Sequence, residues 1–157
     1  MTQPPRKLIS ATFLNRLSRL TSDSEIIIAI SGISGHDQQY EEIPGAVPGM
    51  YSINCGHNWD QILRTQIDVR TIAYQSSTSI IFCYVAHDSL AYSWASRHRI
   101  KVLDDIGIVE VSELTDEGRA VQAHHEKYIE LSDQDRSPSL LAERIRPLMS
   151  TFETSEL

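Results

Sequence analysis

The chain has 157 residues, of which 41% are hydrophobic and 22% are charged, and its formal net charge is -7. This mixture is typical of one folded domain and excludes a disordered chain. The acidic balance disfavours non-specific attraction to phosphate backbones or to anionic lipid, and the two cysteines are too few for a disulfide framework.

The N-terminal segment lacks the apolar core of a signal peptide, so we expect a cytoplasmic protein. Residues 6–20 predict an amphipathic helix, because Ile9, Phe13 and Leu17 recur at helical spacing. Residues 25–31 form a continuous apolar run rich in β-branched side chains. This run predicts a buried central strand, and it is too short to span a bilayer.

Glycine and proline punctuate residues 32–49, which we expect to form a long loop. Loops of this length are uncommon in compact domains and are often functional. Short elements follow the loop: a strand at 50–53, a helix at 58–66, and strands at 67–74 and 79–86 joined by a hairpin turn.

The C-terminal half carries capping signals for helices. Residues 88–97 predict a helix which, with strands at 79–86 and 100–103, makes a βαβ unit. A short strand follows at 108–111. Thr115, with two acids directly after it, is typical of a helix start, and we expect this helix to span residues 115–131.

The last predicted helix begins at Ser137 and Pro138, an N-cap residue followed by proline in the first turn. Leu141, Ile145 and Leu148 form an apolar stripe along it. We expect this stripe to pack on the core of the domain, with pairing to the same helix of a second copy as the less favoured alternative.

Together these elements predict an α/β (or α+β) fold. We expect a single mixed β-sheet of about four to five strands, flanked by helices, with two C-terminal helices. The α/β core domain would span residues 1–131. Residues 132–157 would form a C-terminal helix packed on that core or on a partner.

The turn after the strand predicted at 25–31 is the first candidate site. Open α/β sheets bind ligands at the ends of such strands, and free backbone N–H groups there can hold a phosphate. The segment lacks the spacing of the common phosphate-binding motifs. Its predicted ligand-binding residues are Ser31, Gly32, Ser34, Gly35, His36 and Asp37.

A second candidate site is catalytic. Cys55 is the possible nucleophile, His57 the nearby base and Asp60 the group that orients the imidazole. Cys55 and His57, together with Cys83 and His87, also form a set of four candidate zinc ligands. We predict no metal site, because the spacings do not match those of zinc-binding motifs.

The densest basic patch consists of Arg97, Arg99 and Lys101. This patch and residues 102–119 resemble the end of a recognition helix and the strand-to-helix exit of winged-helix regulators. The resemblance implies nucleic-acid binding through the three basic side chains. The acidic total charge opposes it.

We therefore expect a small cytoplasmic binding or regulatory module that acts through protein or ligand contacts. One alternative is an enzyme, a hydrolase or transferase, with a site built around the 31–37 loop and Cys55/His57. The other is a nucleic-acid-binding regulator with a degenerate winged-helix-like C-terminal half. A protein partner or a second copy is possible, a membrane is not expected, and the sequence identifies no cofactor.

Overall fold

A computed structural model of the chain describes residues 5–20, 22–34, 40–60 and 65–151, with the backbone alone for residues 54–60, 65–68, 88, 150 and 151. The elements in chain order are β1 (Arg6–Ser10), α1 (Ala11–Ser18), α2 (Asp23–Ser34), β2 (Tyr40–Glu42), β3 (Met50–Asp60), β4 (Thr65–Gln75), β5 (Ser79–His87), α3 (Asp88–Ser96), β6 (His98–Leu103), β7 (Ile108–Leu114), β8 (Ala120–Glu130), a 3-10 turn (Asp133–Arg136) and α4 (Pro138–Thr151). None of the helices in these ranges is long and apolar enough to cross a bilayer.

The described strands form one eight-stranded sheet in the order β2-β3-β4-β5-β1-β8-β7-β6. Strand β1 pairs in parallel with β5 on one side and antiparallel with β8 on the other. The remaining neighbours pair antiparallel, which makes β2 to β5 one meander and β6 to β8 another. The five residues of β1 are therefore the join between the two halves of the sheet.

Each face of the sheet carries its own hydrophobic core. Helices α1, α2 and α4 cover the first face, where Phe13 of α1 and Phe82 of β5 are fully buried with ring centroids 6.4 Å apart. Helix α3 covers the second face, where it packs on β4, β5 and β6 and buries Ala91 and Ala95. Residues 79–86 are buried without interruption because both of their faces are covered. The strand predicted at 79–86 is confirmed.

A register irregularity in β5 changes which face its side chains reach. Ile72 of β4 pairs with Tyr84, and the next residue, Ala73, pairs with Phe82, so Cys83 is the extra residue of a β-bulge. As a result Cys83 and Tyr84 both contribute to the second core, whereas Phe82 lies in the first.

Helix α1 begins where β1 ends. Ser10 is its N-cap, and the Ser10 hydroxyl accepts a hydrogen bond of 3.2 Å from the backbone N–H of Phe13. Strands β5 and β8 continue beyond Ser10 without a strand between them. There α1 contacts both, with the Thr12 hydroxyl 2.6 Å from Glu126 of β8 and the Arg16 guanidinium 4.9 Å from the ring centroid of Tyr84 on β5.

The predicted number of strands and the predicted central strand at 25–31 are wrong, although the broad α/β class holds. Residues 26–30 belong to helix α2, and residues 6–10 are strand β1 rather than the start of a helix. A continuous apolar run suits a buried helix as well as a buried strand, so periodicity cannot separate the two. Asp23 and Glu25 in the first turn of α2 favour the helix through its dipole.

The prediction of two C-terminal helices is also wrong. Residues 120–130 form strand β8, and Thr115 belongs to the β7–β8 turn, where Gly118 adopts a positive φ of 80°. The described part of the helix predicted at 58–66 is strand as well. The βαβ unit predicted from residues 79–86, 88–97 and 100–103 does not form, because three strands separate β5 from β6 in the sheet. The helix start at Pro138 and the packing of Leu141 and Ile145 on the first core are confirmed.

The substitution Phe13→Ala tests the packing of α1 on β5. We expect it to lower the free energy of unfolding by about 3–5 kcal/mol, because it opens a cavity in the first core. The control is Val121→Ala, since Val121 is 63% exposed and its truncation should change stability by less than about 0.5 kcal/mol. Urea denaturation followed by circular dichroism measures both, and equal effects for the two variants would contradict the assignment.

Candidate functional site

A groove of about 340 Å³ lies at the start of β1, between the end of α2 and the 3-10 turn. We call it the β1 groove. Its polar lining consists of Arg6, Lys7, Ser34, Tyr40, Ser132, Asp133, Asp135 and Arg136. Ile33, Ile80 and Leu131 provide apolar walls. The mixture of apolar walls and a few convergent polar groups is typical of a ligand site.

Cations outnumber carboxylates in the lining of the β1 groove, with Arg6, Lys7 and Arg136 against Asp133 and Asp135. Lys7 is partly buried. Burial, together with the positive charge of Arg136, lowers the pKa of Lys7 from its ordinary value of 10.5. The groove therefore holds a lysine whose charged form is destabilised by its surroundings.

Two charged members of the lining, Arg6 and Asp135, form ion pairs with residues outside it. The Arg6 Nε and Nη2 atoms lie 2.8 and 2.7 Å from Oε1 of Glu130, and its Nη1 lies 3.1 Å from Asp104. The hydrogen bonds with Glu130 raise the pKa of Arg6. The Asp135 carboxylate accepts hydrogen bonds from the Ser132 backbone N–H at 2.6 Å and from the guanidinium of Arg144. Both side chains are thus held in place by charged partners.

The rim of the groove is fixed by backbone contacts. The backbone N–H of Leu131 donates to the carbonyl of Lys7 at 2.8 Å, which extends the pairing of β8 with β1. Ser132 and Asp135 form a capping box around the 3-10 turn, and Arg144 of α4 donates to the carbonyl of Glu130 at 3.1 Å. These contacts tie α4 and the 3-10 turn to the end of β8.

One of the predicted ligand-binding residues, Ser34, lines the β1 groove. Its hydroxyl lies 3.2 Å from the carbonyl of Ser31, to which it donates. Ser31 and Gly32 belong to the last turns of α2 and lie outside the groove lining. The C-terminal end of a helix presents carbonyl groups rather than N–H groups, so the expected N–H cradle does not form over residues 31–34. Gly35, His36 and Asp37 lie outside the described residues.

The predicted catalytic residues Cys55, His57 and Asp60 lie on β3, near a register irregularity between Asn54 and His57. Their side chains lie outside the described part of the chain, so their catalytic role stays a prediction. Cys83 is fully buried on the second face, and its thiol donates to the carbonyl of Ile72 at 3.2 Å. Burial raises the pKa of Cys83 well above its ordinary value.

His87 lies on the opposite face of β5 from Cys83, because it pairs with Val69 of the first core. Its Nε2 atom is 2.8 Å from Oε2 of Glu25, a buried carboxylate of α2. Cys83 and His87 therefore cannot ligate one ion. Among the side chains that the structure describes, no three of the histidine, cysteine and acidic type form a group suited to a metal.

The basic patch lies on an edge strand rather than on a recognition helix. Arg97 is the C-cap of α3, and Arg99 and Lys101 are exposed on β6, the last strand of the sheet. Residues 102–119 form the rest of β6, strand β7 and their turns, so the winged-helix resemblance does not extend to the fold. Lys101 pairs with Glu110 across the strands. Charged side chains on an edge strand protect it from pairing with other chains.

Glu126 of β8 forms a cluster that the sequence did not suggest. Its carboxylate is 3% exposed and accepts hydrogen bonds from the Thr12 backbone N–H at 3.1 Å and hydroxyl at 2.6 Å, and His124 Nε2 lies 2.9 Å away. Burial by itself would raise the pKa of Glu126, but the hydrogen bonds from His124 and Thr12 outweigh it and lower the pKa. The hydrogen bond between Glu126 and His124 also raises the pKa of His124. Glu126 thus caps the N-terminus of α1 from a neighbouring strand.

An aromatic stack fixes α3 to the second face. The ring centroids of Tyr84 and Trp94 are 4.7 Å apart, and those of Trp94 and His98 are 4.3 Å apart. His98 Nδ1 lies 2.6 Å from the carbonyl of Trp94, and burial lowers the pKa of His98. The stack joins β5, α3 and β6 and accounts for the position of α3.

Comparison of the chain with protein-family models, with curated proteins and with solved structures finds no match.

The substitution Glu126→Gln tests the α1 cap. We expect a loss of about 1–3 kcal/mol of stability, because hydrogen bonds to a buried charge are lost. Because folding lowers the pKa of Glu126, the stability that its charged form contributes is present above pH 4.5 and is lost as the pH falls. Because folding raises the pKa of His124, the stability that its charged form contributes is present below pH 6.5 and is lost as the pH rises. The loss should therefore be largest between these two pH values, as measured by urea denaturation.

The control for this cap is Glu117→Gln, an exposed acid in the β7–β8 turn. It should leave stability within about 0.5 kcal/mol of the wild type at every pH. A Glu126→Gln effect that does not vary between pH 4 and pH 8 would show that the His124–Glu126 contact is not formed.

Proposed function

We propose that the chain is a cytoplasmic binding module that holds the anionic group of a small ligand, a phosphate or a carboxylate, in the β1 groove. The observation that supports this proposal is the environment of Lys7. This lysine is partly buried beside Arg136, and its pKa is lowered by burial and by that second positive charge. An anion placed between two cations relieves their repulsion and stabilises the charged lysine.

The surroundings of Lys7 support an anion rather than a cation as the ligand. Arg6 already has Glu130 and Asp104 as partners, and Asp135 has Arg144. Arg136 is within 3.4 Å of Asp133, but both side chains are exposed, and an exposed pair of this kind contributes little and rearranges at small cost. Lys7 and Arg136 carry the like charges whose repulsion a bound anion offsets.

The size of the groove supports a small molecule. A volume of about 340 Å³ is at the lower end of the range for ligand pockets. The hydroxyls of Ser34 and Tyr40 add hydrogen-bonding groups to the lining, and Ile33 and Ile80 offer apolar contact. With a net charge of -7, the chain as a whole repels polyanions, so a short anionic ligand fits better than nucleic acid.

Titration with inorganic phosphate, followed by NMR chemical shifts of the groove residues, tests this proposal. We expect Lys7→Met and Arg136→Gln each to weaken phosphate binding at least about tenfold, since each removes one charged partner of the anion. Arg99→Gln is the matched control, because Arg99 is an exposed cation on the far edge of the sheet. Equal affinity in all variants, or shifts centred outside the groove, would refute the proposal.

The pH dependence of binding gives a second prediction. Lys7 must be charged to bind the anion, and its pKa lies below 10.5. Above about pH 8 phosphate keeps a constant charge, so the affinity should fall as the pH rises towards 10.5 and Lys7 loses its proton. Calorimetry in this range should record proton uptake on binding. The Lys7→Met variant should show neither effect.

A further inference from the structure

The β1 groove lies on the first face of the sheet. Side chains alternate along a strand, so Lys7 points to the same face as Ile9, which belongs to the first core. On one side Lys7 pairs with Ile80 of β5, and on the other its carbonyl accepts the hydrogen bond from the backbone of Leu131. Ile80 belongs to the first core, and Leu131 packs against it. The floor of the groove is therefore a cation between two apolar side chains.

The groove has more room than an anionic group fills. Its volume is about 340 Å³. A water molecule takes about 30 Å³ of liquid, so the three heavy atoms of a carboxylate fill roughly 90 Å³. Tyr40 and Leu131 line the groove and are only partly buried, so part of their surface is open to the rest of a ligand. A ligand that fills the groove has an apolar part as well as an anionic group.

The charges of the lining favour a single negative charge on the ligand. Arg6 and Asp135 already form ion pairs with residues outside the groove. Lys7, Arg136 and Asp133 remain, and together they carry one net positive charge. A carboxylate has one negative charge and balances it. A phosphate group carries nearly two negative charges at pH 7, and the second one is left unbalanced.

We propose that the β1 groove binds a monocarboxylate with a short apolar chain, whose carboxylate lies beside Lys7 and Arg136 and whose chain lies against Tyr40 and Leu131. This inference rests on the proposed anion site and adds the class of its ligand. The two cations hold the carboxylate, and each methylene group that leaves water strengthens binding by about fourfold. Inorganic phosphate has no apolar part and uses only the charged portion of the groove.

Titration of the full chain with acetate, butyrate and hexanoate at about pH 7.5, followed by NMR chemical shifts, tests this inference. We expect the Kd to fall by about tenfold or more from acetate to butyrate, because two methylene groups are added, and to fall again for hexanoate. Butyrate should also bind more tightly than inorganic phosphate. Butylammonium is the matched control ligand, since it joins a chain of similar length to a positive charge, and it should not bind.

A variant that lacks one apolar wall gives a second arm. Leu131→Ala shortens an apolar side chain beside Lys7 and changes no charge, so it should raise the Kd of hexanoate at least about fivefold and leave that of acetate unchanged. Leu131→Met keeps an apolar side chain of similar volume and should bind hexanoate as the wild type does. The matched control is Leu140→Ala, since Leu140 is 52% exposed on α4 and lies outside the groove lining. Circular dichroism confirms that each variant is folded.

The results that overturn the inference differ from those that overturn the anion site. Equal affinity along the carboxylate series, or phosphate bound more tightly than butyrate, contradicts the inference. An equal loss of acetate and hexanoate binding in Leu131→Ala also contradicts it, because the chain then does not contact Leu131. In each of these cases, phosphate binding that weakens in Lys7→Met leaves the anion site in place. If neither phosphate nor any carboxylate binds, the anion site fails and the inference fails with it.

Discussion

The pairing of β1 with β5 and β8 is the interaction on which the rest of the structure depends. Strand β1 has only five residues, and the two meanders of the sheet meet through it. Beyond Ser10 the strands β5 and β8 have no neighbour between them, and α1 takes that place. The backbone N–H groups at the start of α1 then need an acceptor, and the buried carboxylate of Glu126 supplies it from β8. The length of one strand thus explains the helix position and the buried charge.

The opposite end of β1 carries the groove. Arg6 and Lys7 lie at the start of β1, which pairs with β5 on one side and with β8 on the other. The segment after β8 folds back over these two residues. A lysine at this position is partly removed from water and lies near Arg136 of that segment. Both features destabilise the charged form of this lysine and lower its pKa. Helix α2 contributes Ile33 and Ser34 to the lining of the same groove.

The sequence predicted the elements whose signal is local. Residues 79–86, apolar on both faces, had to be a buried strand, and the Ser137–Pro138 cap marked the start of α4. Residues 26–30 carried the same apolar signal, which does not separate helix from strand, although Asp23 and Glu25 before them favour a helix through its dipole. Thr115, Asp116 and Glu117 match the pattern of a helix N-cap and first turn, but they belong to a turn in which Gly118 has a positive φ. Ser34 was predicted as a site residue, whereas Lys7 was not, because its environment arises only when the distant Arg136 folds against it.

Native-state hydrogen exchange measured by NMR tests the central role of β1 most directly. If β1 joins the two halves of the sheet, the amides of Leu8 and Ile9 exchange only by global unfolding, as slowly as the most protected amides of β5, and much more slowly than those of the edge strand β6. Exchange of the Leu8 and Ile9 amides within minutes, while β5 stays protected, would contradict the account, because β1 would then not be a central strand.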